Sequence, residues 1–128
     1  SKTASAIKSA TGVTPTLMRP IGGAITDKRI KSCGYDVVLW NVDTQDWRYS
    51  YRGNKEDAKA NIKQIYGTIM TKTDENDIIL MHEIYYNTYD AFSLAIDKLY
   101  KQGYRFVTVS ELLGRDETSK GNLYYSAD

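Results

Sequence analysis

Apolar positions along this chain alternate between two spacings. Thr16, Leu17 and Met18 make a short apolar run that ends at Arg19. Residues 35–42 are apolar and β-branched on both faces, as a strand covered on both sides requires. Residues 77–82 and 104–109 repeat that pattern and predict two more buried strands. Helical spacing lies between them. Ala58, Ile62, Ile65 and Ile69 share one face of a helix over residues 55–71. Tyr89, Phe92, Ile96 and Leu99 mark a helix over residues 88–102, which Gly103 stops. A short helix over residues 2–10 is closed by Gly12. Thr26 caps another that Gly34 ends, and Ser110 caps a last one over residues 111–113. From Arg115 onward the chain is polar and reads as an irregular tail, dividing it into residues 1–114 and 115–128.

Strand alternating with helix predicts an α/β architecture of parallel strands with right-handed crossovers. The 128 residues suffice for one core. A closed (β/α) barrel takes about 250 residues, so this chain supplies only part of one. Net charge is +1, with acids and bases interspersed, which excludes an electrostatic footprint for nucleic acid. The longest apolar runs are too short for a membrane span. The first residues do not read as a secretory signal. Cys33 is the only cysteine, so no intrachain disulfide forms, and it reads as a half-buried packing thiol rather than a nucleophile.

In parallel α/β folds chemistry gathers at the carboxyl ends of the strands. Arg19, Asp43, Asp46, Trp47 and His82 all fall there. His82 is the sole histidine, which is a poor metal site because metals want several protein ligands. Beside an acid from a neighbouring strand it becomes a general acid or base. Asp46 is the expected partner: a carboxylate on one ring nitrogen fixes the tautomer and favours the charged ring. Asp43 either joins this chemistry or only holds its loop. Arg19 either orients a carboxylate or binds substrate, against a bland surface ion pair. Gly22 and Gly23 precede a helix and can cradle an anion there. Trp47 either stacks on a sugar ring or covers the core, and Tyr49, Tyr51, Tyr85 and Tyr86 extend an aromatic rim around it.

These segments, in this order, resemble the later motifs of the polysaccharide deacetylases. The run from Met18-Arg19-Pro20 to Gly23 is similar to that family's Arg-Pro-Pro segment. The segment from Trp40 through Asp43 and Asp46 to Trp47 resembles its fourth motif, and Leu80-Met81-His82 its Leu-x-His motif. The close, Gly103-Tyr104 to Leu112, is similar to its terminal strand and helix. The resemblance implies the C-terminal half of a distorted (β/α) barrel that removes acetyl groups from an acetylated polysaccharide. It also implies a divalent metal, usually zinc, on an Asp-His-His triad, with a neighbouring Asp as base. On this chain it implies that His82 is the general acid and that Asp46 orients and charges it. It further implies that Arg19 orients the base, Leu80 walls the acetyl pocket and Trp47 lines the groove, with Gly22 and Gly23 on the substrate side.

Two departures from the family pattern stand out. Ile21 replaces the second proline. No segment matches the Thr-Phe-Asp-Asp-Gly or His-x-x-x-His motifs, so no metal ligand is assigned here. The metal half is expected on another polypeptide, or the chain forms a homodimer. The alternative is a non-catalytic carbohydrate-binding half-barrel. Peptidoglycan, chitin and xylan all remain open as substrates, with peptidoglycan favoured. The family implies an extracellular or cell-surface location.

Overall fold

A computed structural model describes residues 1–49, 55–115 and 118–128. Five helices and five short strands follow one another: α1 (Lys2–Thr11), β1 (Leu17–Met18), α2 (Asp27–Ser32), β2 (Asp36–Val38), β3 (Val42–Asp43), α3 (Lys55–Lys72), β4 (Ile79–Leu80), α4 (Tyr86–Lys101), α5 (Val109–Leu113) and β5 (Leu123–Tyr124). All ladders are parallel. β2 lies between β1 and β5, and β3 pairs with β4.

The strand expected over residues 35–42 is divided. Its first part is β2, hydrogen-bonded to β1 and β5. Its second part crosses to β4, where the Asn41 and Val42 amides donate to the Ile78 carbonyl at 3.2 and 3.3 Å. One extended run therefore serves two sheets. The strand expected over residues 77–82 narrows to β4, with Asp77 bridged antiparallel to Ser126.

The core forms where α3 meets α4. Ile65 and Ile69 are fully buried, as their spacing predicts, against Ala91, Ala95 and Leu99. Each isoleucine contributes about 1.5–3 kcal/mol on burial. The inward face of α4 is Thr88, Ala91, Ala95 and Leu99; Leu99 is buried as expected, but the other three each stand one residue before Tyr89, Phe92 and Ile96, and Tyr89 is 68% exposed. The alanines win because small side chains let two helix backbones approach closely, whereas large rings would hold them apart.

Three further expectations are corrected. Residues 104–108 form no ladder. A cleft of about 290 Å³ separates them from Ile78, Ile79 and Met81, and Phe106 and Val107 stay nearly half exposed. Apolar alternation alone does not make a strand when no neighbour supplies hydrogen bonds. Thr108, not Ser110, caps α5, through a reciprocal pair of bonds with Glu111. The segment after Gly114 is no irregular tail. It carries β5, and the Arg115 guanidinium binds Asp36 at 2.7 Å with both side chains buried. Among the described residues no helix is long and apolar enough to cross a membrane.

Candidate functional site

The loop after β3 is shaped by its own side chains. Asp43 Oδ1 accepts the Gln45 amide at 2.8 Å, and Gln45 takes a positive φ of 52°. Asp43 thus holds the turn, the local role open to any aspartate at such a position. Thr44 is buried and donates to the Leu80 carbonyl at 2.8 Å, tying the loop to the end of β4. A 3₁₀ turn over Asp46–Tyr49 then carries Asp46 inward.

Asp46 is 1% exposed and accepts four hydrogen bonds. Its Oδ2 takes the His82 amide at 2.6 Å and the Thr88 hydroxyl at 2.7 Å. Its Oδ1 takes the Trp47 amide at 3.0 Å and meets His82 Nδ1 at 2.8 Å. Two amide donors and a hydroxyl already use acceptor sites on both oxygens. Asp46 is thus the acceptor in this contact and His82 Nδ1 the donor. The His82 side chain is 33% exposed, so the ring has one nitrogen anchored and one edge open. Tyr85 packs edge-on against it, with centroids 6.1 Å apart. Such a ring can pass a proton through Nε2 without losing its orientation.

Thr88 is the residue that sequence reasoning missed. A threonine at the expected start of a helix reads as a cap. The helix begins earlier, at Tyr86, which leaves the hydroxyl free to serve Asp46. Asn87 adds a second tie, from its side-chain amide to the Tyr49 carbonyl. The 3₁₀ turn touches both α3 and α4, so the core that packs these helices also sets the acid.

The remaining candidates are not gathered around this pair. Arg19 is exposed and has no carboxylate partner among the described residues, so the bland ion pair is not formed either. It stands at an apolar cleft of about 320 Å³ that Leu80 also lines, with Met18, Leu39 and Trp40. Gly22 and Gly23 do not line it. Both have positive φ, and a Cβ on Gly23 would meet Trp40 Cη2 at 3.1 Å, so Gly23 permits a close approach. Trp47 is 49% exposed, and the Arg48 guanidinium lies 5.0 Å from its ring centroid. One face of the indole is thus already covered by a cation. Tyr51 lies outside the described residues. Cys33 is half-buried and its thiol points at the Ile30 and Tyr35 carbonyls.

No group of three or more His, Cys, Asp or Glu side chains capable of holding a metal occurs among the described residues. His82 has Nδ1 committed to Asp46, and Asp46 has both oxygens committed to protein donors. The donor set present does not fit the metal triad that the resemblance implies.

These features define a parallel α/β half-barrel with a buried Asp–His pair at the carboxyl ends of its strands. Over 124 residues, 97% of this chain, it is 32% identical to the peptidoglycan-N-acetylglucosamine deacetylase PgdA of Listeria monocytogenes, of which it spans 24%. It is 38% identical over 106 residues to the peptidoglycan-N-acetylmuramic acid deacetylase PdaC of Bacillus subtilis, covering 83% of this chain and 21% of PdaC. The solved PdaC structure superposes with a TM-score of 0.74 at 37% identity, covering 86% of this chain and 50% of that one. A CE4 family pseudoenzyme from Bacillus anthracis superposes with a TM-score of 0.72 at 26% identity, covering 97% of this chain and 42% of that one. No protein-family model matches. The chain belongs to the polysaccharide deacetylase family. It spans about a quarter of the curated relatives' length and about half of the solved PdaC chain.

Proposed function

We propose that this chain is the general-acid half of a polysaccharide deacetylase domain, a hydrolase acting on N-acetylated glycan. The carrying observation is the buried Asp46 held on His82 Nδ1 at 2.8 Å while the ring stays partly open. Hydrolysis of an acetamide breaks the carbonyl–nitrogen bond and leaves an amine that must gain a proton. The doubly protonated His82 ring donates it from Nε2 and is left neutral with its Nδ1 proton, which Asp46 holds along with the ring's orientation. Arg19 and Leu80 share the cleft that would receive the acetyl group and the base, and Trp47 offers its open indole face to the glycan.

The divalent metal of the family, zinc in this reading, finds no group of donors among the described residues. The attacking water and its base therefore come from the other half of the domain, covalently joined or not, or from a second copy. The cleft beside β4 and the half-exposed Phe106 and Val107 are the apolar surface that such a half would cover. A cell-surface location and peptidoglycan as substrate belong to the same proposal.

In the domain assembled with its metal half, His82→Ala should cut acetate release from N-acetylated glycan by roughly 100-fold or more, with metal content retained. Unchanged turnover would overturn the general-acid role. A second reading, a sugar-binding half-barrel without chemistry, is favoured by the lack of a metal-donor group among the described residues and by the pseudoenzyme of similar fold. It predicts glycan binding that tolerates His82→Ala and no acetate release from any assembly.

A further inference from the structure

Just after His82 in the chain, residues 84–89 expose several large side chains. Ile84 is 73% exposed, Tyr86 85% and Tyr89 68%. Tyr86 and Tyr89 stand three residues apart on the first turn of α4, where side chains share a face. With Tyr85 they line an open groove of about 500 Å³ that Glu83 and Asp90 flank. Tyr85 joins this groove to the candidate site, because its ring also meets His82 edge-on. Neither Glu83 nor Asp90 pairs with a cation among the described residues.

We propose that Tyr86 and Tyr89, with Glu83 and Asp90, form a binding subsite for a neutral N-acetylhexosamine chain, separate from the Asp46–His82 pair. The choice of ligand rests on the deacetylase reading. The chemistry fits it independently. Flat phenol rings match the apolar C–H face of a pyranose, and carboxylates accept its hydroxyl protons. Two unpaired carboxylates disfavour an anionic membrane surface. The groove starts at Tyr85, so it holds sugars next to the reacting one, and binding through it depends on chain length.

The test is a ¹⁵N NMR titration of the assembled domain, with this chain labelled, using N-acetylchitohexaose and, separately, N-acetylglucosamine. The hexasaccharide should shift the amides of residues 84–90 and the monosaccharide should not. Tyr86→Ala/Tyr89→Ala should bind the hexasaccharide about tenfold more weakly. Both rings are exposed, so its circular dichroism should match the parent's. Equal affinity of the double variant, shifts confined to other residues, or no shift at all would each overturn the subsite. So would self-association that the double variant abolishes without any glycan response, which would mark a protein contact. Acetate release separates the two proposals. A failed groove with His82-dependent release leaves the deacetylase reading intact. A responsive groove without release from the assembled domain leaves a binder.

Discussion

Arg115→Ala measures whether the C-terminal segment belongs to the fold. The guanidinium donates to Asp36 Oδ2 from Nε at 3.0 Å and from Nη2 at 2.7 Å. It also reaches Thr16 Oγ1 at 3.0 Å and the Ser119 carbonyl at 2.9 Å. The two side chains are 2% and 0% exposed. Alanine leaves the Asp36 carboxylate buried with only its Asn122 and Ser119 donors. Breaking one side of a buried pair costs about 3–5 kcal/mol, much of the roughly 5–15 kcal/mol a domain has. Removing both charges, in Asp36→Asn/Arg115→Met, leaves no orphaned ion and should cost less than the two single changes together. Urea midpoints of the parent, the singles and the double supply the cycle. A loss under about 1 kcal/mol for Arg115→Ala, the range of a surface pair, would refute the argument. The pH dependence has a definite sign. Burial pushes the Asp36 carboxyl up, but hydrogen bonds from Asn122, Arg115 and Ser119 outweigh it and hold it below its ordinary value of 3.8. Its contribution is therefore present above that value and lost as pH falls through the lower, folded one. Arg115→Ala removes both guanidinium bonds that help to lower it, so acid unfolding should begin at a higher pH than in the parent.

Two further outcomes follow from the site. Thr88→Val removes one of the two donors to Asp46 Oδ2, leaving the His82 amide, and should cost about 1–3 kcal/mol in stability. In the assembled domain it should also lower kcat with little change in KM, and Thr88→Ser should restore both; a stability loss with kcat untouched would make Thr88 structural only. Gly23→Ala places a Cβ 3.1 Å from Trp40 Cη2 at a φ of +71°. It should lose about 1–2 kcal/mol in a thermal melt, whereas an unchanged melting temperature would mean the loop relaxes freely.

The parts legible in the sequence were those with local causes. Ile65 and Ile69 announce a helix face because their spacing alone fixes it. The Asp46–His82 contact was legible because strand ends converge in any parallel α/β fold. The phase of α4 was hidden, since alanine carries little hydrophobic signal and the large rings pointed to the neighbouring stripe. Thr88 was hidden for a related reason: its role depends on where the helix starts. Residues 104–108 carry a strand's pattern, but pairing is a property of the neighbour. The Asp36–Arg115 contact joins two polar residues far apart in the chain, and periodicity says nothing about such pairs.

One extended run holds Asp36 near its start and leads to Asp46 beyond its end. The first carboxylate stitches β2 to the segment that carries β5; the second holds the partly open ring of His82. A sealed contact and a partly open one thus stand at opposite ends of a shared scaffold, on either side of the apolar residues Val37, Val38 and Leu39. Changes in the loops beyond Val42 can redirect what the site does without loosening the seam below it. A lineage could therefore lose its chemistry, or acquire a new substrate, while passing on the same folded body.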